Sequence, residues 1–360
     1  MIQVFANYAG RTFQVTERKK SITDSDFLKF KIFNCIFMIV FGLMFCFVRG
    51  YDEYKIAVII ILILYRALDA YAESIFAIFQ KNNQLYKCGI SMTIKSITCV
   101  VLFLIIDIIT NNLLLSVSVI LLADVIIFCF YDLIMLKKYN IKHNKLKSKI
   151  FKFLLITGFS IFIMSMLSQY IAMAQKYIID FFMTNEEQAL FGIIIMPATF
   201  VGMCAAMIVN PFLYKMNDAI KNNKFTTFNK IVLRILFYVL LIGAITLIAT
   251  YFIGIPVLNF IYNLELEQYL FHLLIIVIAS VGTAVVAVLS NALIALRKNT
   301  SQMIIYIIAS VFTTLISTLL ILNFGVLGAS LSYASTILLL LILYIIDYTY
   351  VIHNIKLLKV

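Results

Sequence analysis

The amino-acid sequence predicts an all-α, polytopic integral membrane protein with about ten transmembrane helices. Three observations carry that prediction. The chain is 63% hydrophobic, its mean hydropathy is +1.04, and only 13% of it is charged. A soluble fold of 360 residues needs far more polar surface than that. The apolar residues also come in long runs, several exceeding the roughly 20 residues a helix needs to cross a bilayer. The short alternating segments of a β-barrel are missing, so the backbone must satisfy its own hydrogen bonds as helices.

The elements follow in chain order. Residues 1–10 (MIQVFANYAG) are apolar but too short to span, with no basic leader or cleavage site, and read as the last turns of a helix. A basic stretch with Arg11, Arg18, Lys19, Lys20, Lys29 and Lys31 leads into the first span, 31–48. Arg49, Asp52, Glu53 and Lys55 separate it from 55–79. Lys81 and Lys87 precede 89–109, which is followed closely by 112–136. A dense basic segment comes next, with Lys137, Lys138, Lys142, Lys145, Lys147, Lys149 and Lys152. The fifth and sixth spans, 151–178 and 188–214, are joined by a loop carrying Asp180, Glu186 and Glu187. Lys215, Lys221, Lys224, Lys230 and Arg234 introduce 231–253, and Glu265 and Glu267 introduce 269–294. Arg297 and Lys298 precede 300–322, and 327–352 closes the series before Lys356 and Lys359.

Every second loop is therefore basic, and these loops hold 24 of the 29 Lys and Arg residues. The alternate loops carry only Arg49, Lys55 and Lys176, among acids. This bias places the basic loops and both chain ends in the cytoplasm. An extra or missing helix would scramble the alternation, so loop charge supports the count independently of hydropathy. The longest basic loop, 137–150, divides an N-terminal bundle of four spans (1–136) from a C-terminal bundle of six (151–360).

The formal net charge of +12 follows from those loops, and no nucleic-acid partner is expected. Six cysteines at 35, 46, 88, 99, 129 and 204 form no CxxC or Cys/His cluster and read as reduced, small apolar residues. No Walker motif, GxSxG or HExxH is present. The histidines, His143, His272 and His353, are scattered and every loop is short. An enzyme is not expected, and neither a metal nor a cofactor is implied.

Charges inside the spans are the candidate functional residues. Arg66, Asp69, Glu73, Lys95 and Asp124 lie well within them; Asp107, Asp347 and His272 lie nearer the ends. Each costs on the order of 2.5–3.5 kcal/mol at mid-bilayer and so should face protein or water. In YRALDAYAES, residues 65–74, Arg66, Asp69 and Glu73 fall at i, i+3 and i+7 on one helix face. At 1.5 Å per residue, Lys95 on the next span lies at the depth of Glu73, and a Glu73–Lys95 pair is expected. Two readings stand: the charges staple helices together, or they line a polar cavity for a charged substrate. Asp124 alone reads as a satisfied core residue. Lys176 and Asp180, at i and i+4 where the fifth span meets the outer surface, read as an exposed pair or as a site on the substrate path.

Several stretches resemble the Wzx-type polysaccharide flippases, in the superfamily that also contains the MATE exporters. They are YAGRTFQVTE at 8–17, YRALDAYAESIFAIFQKNNQLYKCG at 65–89 and AQKYIIDFFMTNEEQALFGIIIMPATF at 174–200. NPFLYKMNDAI at 210–220, GIPVLNFIY at 254–262 and NFGVLGASLSYA at 323–334 also fit. The resemblance implies two six-helix bundles around a cavity, and transport of undecaprenyl-pyrophosphate-linked oligosaccharides to the outer leaflet of a bacterial cytoplasmic membrane. It places residue 1 near the end of the family's second helix, so an incomplete N-terminal bundle is expected. On that resemblance Arg66, Lys95 and Lys176 are the cations for a pyrophosphate, with Asp69, Glu73 and Asp180 beside them. A proton or sodium gradient would drive the cycle, and membrane lipids, a polysaccharide polymerase and other assembly proteins are the implied partners. The alternatives are a MATE-like exporter of small molecules and an inactive truncated flippase.

Overall fold

The computed structural model describes residues 3–8, 10–17, 19, 21–139, 141 and 146–357. Arg18, Lys20, Lys142, His143, Lys145 and Lys359, counted above among loop charges and histidines, lie outside the described residues. Among the described residues there is no strand. The chain forms two compact units, residues 1–162 and 163–360.

The first unit opens with two short helices, α1 (Gln3–Ala6) and α2 (Arg11–Val15), followed by α3 (Asp24–Arg49) and α4 (Glu53–Lys81). After them come α5 (Leu85–Thr110) and α6 (Leu113–Lys137). Local chemistry sets these ends. Thr23 and Asp26 form a reciprocal capping box at the start of α3, and Asp52 caps α4. Asn111, at φ 47°, ends α5 in the left-handed region, and the next residue, Asn112, accepts from the first amides of α6. Two asparagines thus make the whole turn of the α5–α6 hairpin. The core of this unit gathers Ala72, Ile75, Phe76, Ile78 and Phe79 of α4 with Leu28, Cys88 and Phe128.

Long α7 (Ser148–Phe182) begins in the first unit and ends in the second. In the second unit α8 (Asn185–Lys221) starts at a Thr184–Glu187 capping box, and α9 (Phe225–Tyr262) contains a π turn at Thr250–Gly254. Next is α10 (Glu267–Ala295), the most buried span of the unit. Its Gly282 admits Ile337 and Leu341, whose atoms lie 2.8 Å from where a Cβ would stand.

The last helical run, Asn299–Leu357, has 59 residues. Straight, it would be about 88 Å long, nearly three times the hydrocarbon thickness of a bilayer. Gly325 breaks it with φ 58° and ψ −133°, a conformation open to glycine but not to residues with a Cβ. The two arms run back along each other. Ser301 Oγ donates to Asp347 at 2.8 Å, and the Tyr306 and Tyr344 rings are 6.0 Å apart. We label the arms α11 (299–324) and α12 (326–357).

Eight helices among the described residues are long and apolar enough to cross a membrane. That set treats α11 and α12 as one and omits α4, whose 29 residues suffice in length but whose middle carries Arg66, Asp69 and Glu73. With both corrections the ten predicted spans are present in order. All six cysteines are free.

Candidate functional site

Three groups of charged residues in the first unit concern the candidate site, each built by a different local device; a further ion pair, Lys81 with Asp24, ties the end of α4 to the start of α3. The deepest joins α5 to α6. Lys95 Nζ lies 3.2 Å from Asp124 Oδ1 and 3.1 Å from Asp132 Oδ2. The lysine side chain is 7% exposed and both carboxylates are 0% exposed. The hairpin explains the register. Lys95 lies 16 positions before Asn111, and 16 positions after Asn112 is Phe128, over whose ring the ammonium sits at 5.5 Å. Asp124 and Asp132 are then one turn to either side. In a regular α-helix eight residues advance 800°, leaving Asp132 about 80° around from Asp124. A π turn at Phe128–Asp132 inserts the equivalent of one residue. The effective spacing becomes seven, within about 20° of the same face.

The second group ties α2 to α4. Arg11, 12% exposed in its side chain, donates from Nε to Gln80 Oε1 at 2.8 Å and lies 3.5 Å from Glu73 Oε2. Its remaining nitrogen reaches Cys88 Sγ at 3.6 Å, and its guanidinium stands 5.9 Å from the Phe76 ring. Nearby Lys31 is buried and donates to the Ala6 carbonyl, the last of α1, at 2.9 Å and to Asn7 Oδ1 at 3.3 Å. The third group is Arg66 and Asp69, paired at 3.5 Å along α4, with the Arg66 side chain 55% exposed. Beside it an apolar cavity of about 270 Å³ is lined by Leu62, Tyr65, Cys99, Val100, Phe103, Leu104, Val117 and Ile120.

The expected Glu73–Lys95 pair does not form. Lys95 turns instead to α6, joined to its own helix by a two-residue turn, and Glu73 turns to Arg11. Asp124 is a buried core residue, as expected, and its partner is Lys95, which it shares with Asp132. Asp132 escaped sequence reasoning because an i, i+8 spacing does not share a face in an α-helix; counting outward from the Asn111–Asn112 turn would have found it. Arg11 was read as a loop charge although it stands within the YAGRTFQVTE stretch.

In the second unit Lys176 and Asp180 form no ion pair among the described residues. Asp180 is exposed. The Lys176 ammonium instead leans across to α8, 3.9 Å from where a Cβ on Gly192 would stand, and its backbone carbonyl accepts from Gln188 at 3.3 Å.

Comparison with solved structures finds the Vibrio cholerae MATE transporter VcmN in its bent form, with TM-score 0.74 and 12% identity over 99% of this chain and 85% of that one. The fold is that of the MATE transporters. An outward-facing multidrug resistance MATE transporter of the MOP superfamily matches with TM-score 0.75 and 11% identity, covering 99% of this chain and 83% of that one. A MATE structure in complex with MaD5 reaches 0.79 at 13% identity, over 99% and 86%. By sequence, the Staphylococcus aureus capsular polysaccharide biosynthesis protein CapF is 26% identical over 302 residues, which is 82% of this chain and 75% of CapF. No family model matches the chain.

Proposed function

We propose that the protein is a flippase of the bacterial cytoplasmic membrane that carries polyprenyl-pyrophosphate-linked oligosaccharide to the outer leaflet, with its basic loops and chain ends in the cytoplasm. The observation that carries this reading is Arg66. It stands near the middle of a 29-residue helix of spanning length, and more than half of its side chain is accessible. An arginine at mid-bilayer faces water or a polar ligand rather than acyl chains, and its planar fork suits phosphate oxygens. The sequence relationship to a capsular polysaccharide biosynthesis protein supports the same cargo class. Lys95, held by two carboxylates, is not available to a phosphate, so the role given to it on the family resemblance passes to Arg66 and, in the second unit, Lys176.

The second reading, export of small cations, draws on the acids of the first unit, where Asp69, Asp124 and Asp132 outnumber Arg66 and Lys95. One reconstitution separates the two. In proteoliposomes carrying a fluorescent lipid-linked oligosaccharide, the parent should move the glycan to the opposite leaflet, and Arg66→Ala should slow that movement at least tenfold while inserting normally. A parent that moves no glycan but extrudes a cationic dye would overturn the flippase reading.

A further inference from the structure

We propose that the outward face at the start of α7 binds an anionic phospholipid, its phosphate among lysines and its acyl chains along the helix beyond them. The lipid belongs to the leaflet on the basic side, the cytoplasmic leaflet in the topology proposed above. Two distant parts of the first unit build the face. Lys149, Lys152, Ile156 and Phe159 stand at i, i+3, i+7 and i+10 of α7 and so share one side of the helix. All four are exposed, Ile156 at 63% and Phe159 at 51%. Phe153 lies one turn beyond Lys149 on the same side, and the ammonium of Lys19, from the connection between α2 and α3, is 3.6 Å from the centre of its ring. Lys147, just before the helix, is exposed as well. At 1.5 Å per residue, Ile156 and Phe159 sit about 10 and 15 Å from Lys149 along the helix axis. That carries them past a headgroup layer of about 5–8 Å and into the hydrocarbon.

Charge on this face is one-sided. No Asp or Glu occurs between Asp132 and Asp180. The acids near Lys19 in the chain are committed elsewhere: Glu17 Oε1 accepts from the Lys19 backbone amide at 3.0 Å, Asp24 pairs with Lys81, and Asp26 closes the cap of α3. Among the described residues, Lys19, Lys147, Lys149 and Lys152 form no ion pair. The positive-inside bias explains why these lysines lie on the basic side, but a lysine anywhere in a loop satisfies it. It does not explain why Lys19 folds back onto an aromatic ring of α7, where the contact holds the ammonium beside the other lysines without neutralising it. Grouped lysines at the end of a span, continued by apolar side chains, match an anionic lipid in both halves. A soluble anion would use the lysines alone, and an acidic protein would not reach a stripe at chain depth.

The chain contains no Trp, so Phe159→Trp supplies a single fluorophore at that depth. The full chain carrying it is reconstituted in vesicles of phosphatidylcholine and phosphatidylglycerol, with one or the other lipid brominated on its acyl chains. Quenching then gives the relative affinity of the two lipids at this face. No cargo is present, so the result is independent of the flippase reading. Phosphatidylglycerol should be preferred at least about fivefold, since each lysine beside an anionic headgroup contributes roughly that factor. Lys149→Gln with Lys152→Gln should bring the preference close to one. Lys221→Gln with Lys224→Gln, which removes the same charge from the α8–α9 turn, should leave it unchanged. The proposal is overturned if the reporter chain shows no preference, if the α7 double variant keeps it, or if the two double variants lose it equally. It is also overturned if inorganic phosphate, at matched ionic strength, abolishes the preference, because the face would then read the anion alone. The reporter chain by itself can refute the idea, so a double variant that fails to insert does not protect it.

Discussion

Lys95→Met removes the positive charge from the α5–α6 clasp while keeping most of the side chain's volume. Asp124 and Asp132 are then left facing each other with no exposed surface and no cation. Removing one partner of a buried ion pair costs about 3–5 kcal/mol. At 1.4 kcal/mol per factor of ten, that shifts the folding equilibrium by at least about a hundredfold. Asp124→Asn is expected to be milder, about 1–3 kcal/mol for a changed buried polar contact, because Lys95 keeps Asp132 at 3.1 Å. The triple change Lys95→Met, Asp124→Asn, Asp132→Asn should regain most of the loss, since no charge remains to be buried. The assay is reversible unfolding in mixed detergent micelles, followed by helical circular dichroism and repeated for all three variants. If Lys95→Met is no less stable than Asp124→Asn, the clasp is not what holds α5 to α6 and the reasoning fails.

Other outcomes follow from single features. Gly325→Ala forces a Cβ into a backbone conformation at φ 58° and ψ −133°, and should destabilise the α11–α12 hairpin by about 1–3 kcal/mol, read in the same unfolding assay. Arg11→Ala should loosen α2 from α4, exposing Cys88, now buried, to a membrane-permeant thiol reagent at least several-fold faster; Arg11→Lys should rescue this poorly, because one ammonium cannot serve Gln80, Glu73 and Cys88 together. In a background with the native cysteines replaced, a cysteine at Glu186 should react with an impermeant maleimide added to intact cells and one at Lys147 should not; the reverse pattern would invert the topology.

The spans were legible because both signals for them are local. A run of apolar residues long enough for the bilayer reads directly from composition, and loop charge alternates whatever the helices pack against. Even the turn at Gly325 left a trace, in the short interruption near 323–327. The partners of the buried charges were less legible, since they depend on which helix faces which and on a departure from α-helical period. Asp132 was hidden by a π turn that no propensity announces. Arg11 and Lys31 sit in a stretch whose charge density marks a cytoplasmic loop, yet both are anchored inside the first unit, Lys31 on the end of α1 and Arg11 on α4. Composition gives the side of the membrane for such residues; only packing decides whether they are solvated.

The clasp and Arg66 bear on one another through Asp69, which pairs with Arg66 at 3.5 Å and lies within electrostatic range of Asp124 and Lys95. Asp69→Asn removes the carboxylate that partly cancels Arg66 and leaves the clasp itself unchanged. Under the flippase reading an anionic cargo meets Arg66, and the substitution should then tighten its binding, because a like charge is taken from the site. Under the exporter reading a cationic cargo loses one of its acids, and the same substitution should weaken its binding. Titrating the detergent-solubilised parent and variant with a fluorescent lipid-linked oligosaccharide and with a cationic dye reads both, and an Asp69→Asn protein that binds the glycan less tightly while inserting normally would refute the assignment of Arg66 to an anion.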